Sequence, residues 1–237
     1  MKEKPLIFIT NDDGYEARGI RLLIDILKDK GDVVVVAPKR QQSSTSHSIT
    51  VGKALVLDEI TKQPNYEEYA LDGTPVDCVK IALFNILKRK PDYLFAGINH
   101  GSNTSINAIY SGTVAAVREG GLEGVNAIGF SLCDNNQDAS LKECEPFVRK
   151  IIDDVLENKP QQQICWNINI PTGNIKGIKH CHSAKGYWSE EFDTKINEQG
   201  KRIYWLGGEY HCLEDSKQAD WNAVNDGYVA ITPVFGL

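Results

Sequence analysis

The chain of 237 residues contains no long apolar run. No segment approaches the roughly 18 consecutive apolar residues that a membrane-spanning helix needs. The first residues, Met1 to Lys4, lead directly into an apolar run of strand length, without the longer apolar region and small-residue cleavage site of a secretion signal. From these absences we expect a soluble, cytoplasmic protein that has no membrane partner.

Clusters of basic residues and of cysteines are also lacking. The net charge is −6, and no stretch gathers lysine and arginine, which argues against a nucleic-acid polymer as partner. The six cysteines are widely spaced without a Cys-x-x-Cys pair, and most lie in apolar patterns where a free thiol acts as a small hydrophobic group. Small anionic substrates remain allowed, because local cations can override the overall negative charge.

Strand-length apolar runs alternate with helical patterns through residues 1–171. The strand-like runs are LIFIT, DVVVVAPKR, PDYLFAGI, VNAIGFSLC and QICWNINIP. The helical segments are GIRLLIDILKDK, TPVDCVKIALFNILKRK (with Thr74 as cap and Pro75 at the first helical position), TVAAVREGG and LKECEPFVRKIIDDVLEN. This alternation predicts a Rossmann-like α/β fold with a doubly wound, mostly parallel sheet. Residues 51–70 are weakly patterned, and we expect short strands there.

The pattern changes from residue 172 onward. GIKHCHSAKGYW, KRIYWLGGEYHC and GYVAITPV are rich in aromatic residues and predict β-hairpins or extended arms. We therefore expect residues 1–171 to form the α/β core. Residues 172–237 would form a β-rich region that pads the sheet edge or pairs with another subunit, and the two parts together would make one domain.

Small oxygen-bearing residues follow three of the predicted strands. They are Asn11, Asp12 and Asp13 after the first strand, Ser43 to His47 after the second, and Asn99, Gly101 and Asn103 after the strand that ends at Ile98. Ligands of open parallel sheets bind beyond the carboxyl ends of the strands, so we expect these loops to meet. Two carboxylates with a hydroxyl and an amide oxygen suit magnesium or manganese rather than zinc.

A fourth loop adds an anion-binding pattern. Ser111, Gly112 and Thr113 lie at a predicted helix start, where backbone N–H groups and hydroxyls can hold a phosphate. A metal beside such a helix end suggests phosphate-ester hydrolysis, with the metal neutralising charge and activating water. Each piece alone is commonplace, since Asn-Asp-Asp-Gly is typical of a turn and Ser-Gly-Thr of an ordinary helix cap. The hypothesis depends on their shared position at one sheet edge.

Eight blocks in this order resemble the SurE family of stationary-phase survival proteins, which are metal-dependent 5′/3′-nucleotidases. The blocks are TNDDG, VVVAP with QSSTSHSIT, LDGTPVDCV, GINHGSN, YSGTVAAVREG, NINIP, YWLGGE and GYVAITP. The resemblance implies hydrolysis of nucleoside 5′- and 3′-monophosphates and, for some members, of short polyphosphate. It also implies a homodimer or homotetramer, held partly by exchanged C-terminal β arms.

The resemblance further implies a site. One divalent cation per subunit, Mg²⁺ or Mn²⁺, would be held by Asp12, Asp13, Ser43 and Asn99. Phosphate contacts would come from Asn11, Asn103, Ser111, Gly112 and Thr113, with His47 nearby. Catalysis would rest on Asp12, Asp13, Asn99 and Ser111.

Four positions depart from the pattern of the family. Lys39 replaces a common aspartate, Ser44 and Ser105 replace common glycines, and Asn107 stands where an aspartate is frequent. None of these removes an implied metal ligand. They bear instead on the pH optimum, the substrate preference and the assembly.

Other hypotheses remain open on the residues alone. His180 and His182 share a face of a strand, and His211 with Cys212 would complete a zinc site in the C-terminal region. A module that binds a nucleotide without hydrolysing it is a further alternative, because a fold does not dictate a function. A dinucleotide-dependent enzyme is disfavoured, since no G-x-G-x-x-G follows the first strand. An aspartyl phosphatase of the haloacid-dehalogenase type is disfavoured as well, because its two acids are separated by one residue and these are adjacent.

Overall fold

Thirteen strands and six α-helices are present in residues 4–234, the part of the chain that the computed structural model describes. The strands are β1 (Leu6–Thr10), β2 (Asp32–Pro38), β3 (Leu57–Gln63), β4 (Tyr66–Leu71), β5 (Tyr93–His100), β6 (Asn126–Leu132), β7 (Cys165–Ile170), β8 (Gly177–His180), β9 (Gly186–Ser189), β10 (Phe192–Ile196), β11 (Arg202–Leu206), β12 (Glu209–Cys212) and β13 (Tyr228–Pro233). The helices are α1 (Arg18–Leu27), α2 (Pro75–Ile81), α3 (Asn107–Tyr110), α4 (Gly112–Leu122), α5 (Glu145–Asn158) and α6 (Asp220–Asn225). None of the helices in this part of the chain has the length and apolar character to cross a membrane.

Nine strands form one sheet in the order β3-β4-β2-β1-β5-β6-β7-β13-β8. The pairs from β4 to β7 are all parallel, whereas β3 pairs antiparallel with β4 and β13 antiparallel with β7. The predicted doubly wound α/β fold is confirmed. The chain leaves β1 for β2 and β4 on one side and returns to β5 on the other, so the strand order reverses between β1 and β5. Ligand sites of open α/β sheets lie at this kind of crevice.

Both faces of the sheet are covered. Successive residues of β1 alternate between the two faces, so that Ile7 and Ile9 pack with α1 and α5 while Phe8 packs with α2 and α4. All three side chains are fully buried. This double burial explains why the central strands are continuous apolar runs instead of alternating patterns.

Three helical features differ from the prediction. The segment that starts at Pro75 was expected to be one helix through Leu87, but α2 ends at Ile81 and a turn of π-helix follows at Ala82–Ile86. Helices α3 and α6 lie where only loop and β structure were expected. Both are too short, at four and six residues, to produce a recognisable period of apolar residues.

The C-terminal region combines two arrangements. Strands β8 and β13 extend the main sheet, and β13 lies between β7 and β8. The pairs β9–β12 and β10–β11 form separate two-stranded sheets. The region therefore extends the edge of the main sheet and also forms two small antiparallel ribbons, β9–β12 and β10–β11.

Candidate functional site

A cavity of about 570 Å³ opens at the crevice between β1 and β5. Of the ten residues to which the sequence analysis assigned a metal, phosphate or catalytic role, five line it: Asp12, Ser43, Asn99, Asn103 and Ser111. They come from four separate segments, namely the ends of β1 and β5 and the loops that follow β2 and precede α4. The convergence expected from the carboxyl ends of parallel strands is therefore present.

Asp12 is held from the side of α4. It is 3% exposed, and the Thr113 hydroxyl donates a hydrogen bond to its Oδ1. A Cβ atom at Gly112 would lie only 2.7 Å from Cβ of Asp12, so a glycine is needed for the helix start to pack this closely. Burial, together with the charge of Asp13, raises the pKa of Asp12 to about 6. The charged form of Asp12 is therefore less stable here than in water, and a nearby cation would offset this difference.

Asp13 lies next to Asp12 and outside the lining of the cavity. Burial raises the pKa of Asp13, and its Oδ2 is buried without a hydrogen-bond partner in residues 4–234. Its Oδ1 is 3.4 Å from Nε2 of Gln41, which also donates to the Ser43 hydroxyl at 2.8 Å. Gln41 thus links Asp13 to Ser43. Gln41 was not among the predicted residues, and its only signal in the sequence is its position two residues before Ser43.

Asn99 presents its amide oxygen as a free acceptor. Its Nδ2 donates to the carbonyl oxygen of Gly101 at 2.9 Å, which leaves Oδ1 for another partner. The oxygen donors of Asp12, Asp13, Ser43 and Asn99, with one buried carboxylate oxygen lacking a partner, are the donor set that a hard divalent cation prefers. The residues present therefore fit Mg²⁺ or Mn²⁺.

The start of α4 borders the same cavity. The Ser111 hydroxyl oxygen accepts a hydrogen bond from the backbone N–H of Val114 at 3.1 Å, as in an ordinary helix cap. Its O–H remains free to donate, and α4 is 11 residues long, long enough for an N-terminal dipole. This end of the cavity can therefore bind an anion.

Asn103 is supported by a buried polar network that the sequence analysis missed. Its Nδ2 donates to the Ser131 hydroxyl at 2.8 Å, and its backbone N–H donates to Oδ1 of Asn169 at 2.8 Å. Asn167 donates in turn to the carbonyl oxygen of Asn103 at 2.8 Å. The alternation of asparagine and isoleucine in β7 was the available signal. These contacts fix the loop after β5 to the neighbouring strands.

Asn11 and His47 are not brought into the cavity. Nδ2 of Asn11 donates to the carbonyl oxygen of Gly14 at 2.7 Å, which closes the turn after β1, and Gly14 has a φ of +102°. His47 instead contacts Glu119, with 2.7 Å between Nε2 and Oε2. The turn interpretation of Asn-Asp-Asp-Gly therefore describes Asn11, whereas Asp12 lines the cavity and Asp13 lies next to it.

The loop that carries Ser43 is held by contacts with α2 and α4. Glu119 is 5% exposed and lies between His47 and Lys80, whose Nζ is 2.5 Å from Oε1. Further along, both the backbone N–H and the hydroxyl of Thr50 donate to Asp77, at 3.0 and 2.6 Å. Bonds from α2 and α4 thus hold the loop in place.

Other lining residues of the cavity come from α3 and the C-terminal region. They include Asn107, Tyr110, Trp188 and Leu206. Nε1 of Trp188 donates to Oδ1 of Asn107 at 3.0 Å. No motif in the sequence indicated Trp188, since the only signal was the general aromatic content of the region.

The histidines of the zinc hypothesis are separated. Nε2 of His182 is 2.8 Å from Glu214, Nε2 of His211 is 2.6 Å from the Ser189 hydroxyl, and His180 packs edge-on against Trp166. Across residues 4–234, no three His, Cys, Asp or Glu side chains are grouped as a metal site. The zinc hypothesis therefore has no geometric support.

Comparisons with known proteins show the family of this chain. Residues 7–190 match the family model described as Survival protein SurE. The chain is 47% identical to a 5′-nucleotidase SurE of Christiangramia forsetii, covering 98% of this chain and 92% of the relative, and 48% identical to that of Flavobacterium johnsoniae, covering 98% and 91%. The crystal structure of a SurE protein from Aquifex aeolicus superposes with a TM-score of 0.82 at 35% identity, covering 97% of this chain and 93% of that one. The chain belongs to the SurE family.

Proposed function

We infer that this protein is a 5′-nucleotidase that hydrolyses the phosphate monoester of nucleoside 5′-monophosphates. The observation that carries the inference is the single cavity in which Asp12, Ser43, Asn99 and Ser111 meet at the strand-order reversal. Curated relatives that cover nearly the whole chain bear the name 5′-nucleotidase SurE. Hydrolysis of 3′-monophosphates and of short polyphosphate belongs to the same proposal, through the family resemblance.

Membership in the SurE family implies dependence on a divalent metal. We propose one Mg²⁺ or Mn²⁺ per subunit, held by Asp12, Asp13, Ser43 and Asn99. The buried Oδ2 of Asp13 supports this, because it has no partner in the described residues and a cation would offset its desolvation. A bound divalent cation would neutralise phosphate charge and acidify water at the reacting centre.

The protein's own groups would orient the phosphate. Ser111 would donate its hydroxyl to a phosphate oxygen, and the first N–H groups of α4, at Gly112 and Thr113, would face the same oxygens. Thr113 would also hold a metal ligand in place, because its hydroxyl donates a hydrogen bond to Asp12. Asn103 would contact the phosphate from the loop after β5. Asn11 and His47 would support the site through the turn and the loop that they stabilise.

The assembly and the compartment are proposals as well. Three large apolar side chains of the β10–β11 ribbon, Phe192, Ile196 and Tyr204, are 58–72% exposed, and a homodimer or homotetramer would cover them. The division into residues 1–171 and 172–237 stays a prediction. All six cysteines are free, which suits a reducing compartment such as the cytoplasm.

The test is release of inorganic phosphate from a nucleoside 5′-monophosphate with Mn²⁺ or Mg²⁺. We expect activity in the parent protein, loss after chelation, recovery when the metal is returned, and a loss of at least about a hundredfold in Asp12→Asn. Asp25→Asn is the matched control, since Asp25 is an exposed partner of Lys28 on α1. Full activity in the chelated protein and in Asp12→Asn would remove the proposed site. Nucleotide binding without phosphate release would favour the non-catalytic module.

A further inference from the structure

The residues that line the cavity include two chemically different groups. Asp12, Ser43, Asn99 and Ser111 form an oxygen-rich group, whereas Trp188, Tyr110 and Leu206 combine indole, phenol and aliphatic surface in an aromatic group. A volume of about 570 Å³ is in the range of pockets that enclose a whole small molecule. The oxygen-rich group accounts for the phosphate alone. The aromatic group therefore has no role in the chemistry described above.

Trp188 is held in the aromatic group by two contacts. Its Nε1–H donates to Oδ1 of Asn107 at 3.0 Å, and its ring meets the Tyr210 ring edge-on, with 5.8 Å between centroids. Tyr210 in turn packs on Trp221 and bonds through its hydroxyl to Ser105. An aromatic ring that is fixed before a ligand arrives loses little conformational entropy on binding. The half-buried indole is thus a preformed surface that lines the cavity.

We propose that Trp188 is the nucleobase-binding residue of this enzyme and that Asn107 is the residue that positions its ring. A base stacks on an indole through its π-face, and the contact tolerates different bases because every base has such a face. A sugar phosphate without a base gains nothing from this surface. The inference rests on the proposed function, and it predicts that the enzyme distinguishes nucleoside monophosphates from simple sugar phosphates.

The experiment compares two substrates that share the sugar phosphate, adenosine 5′-monophosphate and ribose 5-phosphate, in the holoenzyme with Mn²⁺. We expect Trp188→Leu to lower kcat/KM for the nucleotide about tenfold, mainly through KM, and to change kcat/KM for ribose 5-phosphate by less than about twofold. Trp188→Phe keeps an aromatic face, so it retains most of the preference for the nucleotide. Tyr187→Leu is the matched control, because Tyr187 precedes Trp188 on β9 and does not line the cavity.

The activity on ribose 5-phosphate also shows whether each variant is folded. An equal loss on both substrates in Trp188→Leu would overturn the base-binding role and leave the nucleotidase function intact. So would a parent enzyme that hydrolyses both substrates equally well. A parent that releases no phosphate from any nucleoside monophosphate would overturn the proposed function, and this inference with it.

Discussion

At the scale of single residues, the four departures from the SurE pattern each have a structural account. Nζ of Lys39 is 2.6 Å from Asp58 on β3, and Asn107 accepts the hydrogen bond from Trp188. Ser44 and Ser105 have φ angles of +59° and +53°, in the left-handed region that favours glycine. The two serines therefore occupy backbone positions that suit the glycines of the family pattern.

The two serines should respond in opposite directions to replacement by glycine. Ser44 is exposed, so Ser44→Gly removes the energetic cost of the left-handed backbone conformation without loss of a buried contact. The larger entropy of glycine in the unfolded chain offsets part of this, and we expect the free energy of unfolding to rise by about 0.5–1 kcal/mol. Ser105 is 3% exposed, and its hydroxyl bonds to Tyr210 and to the carbonyl oxygen of Ala184 at 2.7 Å. Ser105→Gly should therefore cost about 1–2 kcal/mol.

Denaturant unfolding of both variants measures this difference. Ser48→Gly is a suitable control, because Ser48 lies in the same loop without a positive φ, and glycine there should destabilise by a few tenths of a kcal/mol. Equal shifts in all three variants would contradict the account, since the backbone conformation would then have no influence.

The residues of the site that were predictable from sequence lie at the carboxyl ends of strands or directly after them. Asp12 and Asn99 follow apolar runs whose ends are visible in the sequence, and parallel strands bring those ends together. Trp188 and Ser131 were not predictable, because each reaches the site through pairing across long separations in the chain. Trp188 is 81 residues from Asn107, and nothing local in either segment indicates the contact.

At the scale of elements, the close packing of α1 against β5 determines where Asn99 lies. A Cβ atom at Gly19 would lie 1.9 Å from the carbonyl oxygen of Ile98, the residue before Asn99. Only a glycine allows the helix to approach this strand end. The metal side of the cavity therefore depends on a helix that does not line it.

Gly19→Ala should destabilise the protein by about 2–3 kcal/mol, because either α1 or the end of β5 must move. The displacement should also lower kcat, since Asn99 would shift with Ile98. Thermal unfolding and phosphate release measure the two effects. Gly207→Ala is the control for stability, because a Cβ there would meet only Asp193, at 3.7 Å. An alanine at position 19 that unfolds like the parent would mean that the helix can retreat at no cost.

Glu119 joins three elements, since it lies on α4 and contacts both α2 and the loop after β2. Burial alone would raise the pKa of Glu119, but the hydrogen bonds from Lys80 and His47 have the larger effect. The pKa of Glu119 is therefore lowered from its usual value. A carboxyl group with a lowered pKa in the folded state stabilises the protein at pH values above about 4.5, and this contribution is lost as the pH falls through the folded-state pKa.

Glu119→Gln should therefore cost roughly 2–3 kcal/mol at pH 7, because Lys80 loses its anionic partner and His47 loses a carboxylate hydrogen-bond partner. The difference from the parent should shrink steadily below about pH 4.5. Unfolding free energies measured between pH 3 and 7 test this, with the exposed Glu157→Gln as control. A difference that stays constant across this range would exclude the charge of Glu119 as its cause.

The sequence predicted the elements best where they are long and buried on both faces. The five central parallel strands are continuous apolar runs, which double burial produces directly. The turn of π-helix after α2 was not predictable, because its apolar residues keep a helical spacing while the hydrogen bonding changes. Leu87 donates to the carbonyl oxygen of Ala82, five residues earlier.

At the scale of the whole molecule, two long-range features explain how the site is assembled. The sheet order reverses between β1 and β5, which places the carboxylates beside Asn99. The chain then returns from the far edge of the sheet, so that the ribbon containing Trp188 reaches the same cavity. The alternation of elements predicted the first feature. The second involves contacts between segments far apart in the chain, such as that of Trp188 with Asn107, which no local pattern encodes.

Binding of the cation at this site should increase the stability of the fold. Asp12 and Asp13 are adjacent, burial raises the pKa of each, and the charge of Asp13 raises that of Asp12 further, so the metal-free fold contains unfavourable charge. A ligand that binds only the folded state stabilises it by about 2.7 kcal/mol at a hundred times its dissociation constant. For a chain of this length, saturating Mn²⁺ should raise Tm by about 5–10 °C over the chelated protein.

Asp12→Asn should separate the repulsion between the two carboxylates from the stabilisation by the cation. The variant lacks one of the two repelling carboxylates, so in the presence of chelator we expect it to unfold at a higher temperature than the parent. It should also lose most of the stabilisation by Mn²⁺, because one charged ligand is gone. Asp25→Asn should behave like the parent in both conditions. If Mn²⁺ raised Tm of Asp12→Asn as much as that of the parent, the stabilising cation would bind elsewhere, and the acidic pair after β1 would need another explanation for its burial.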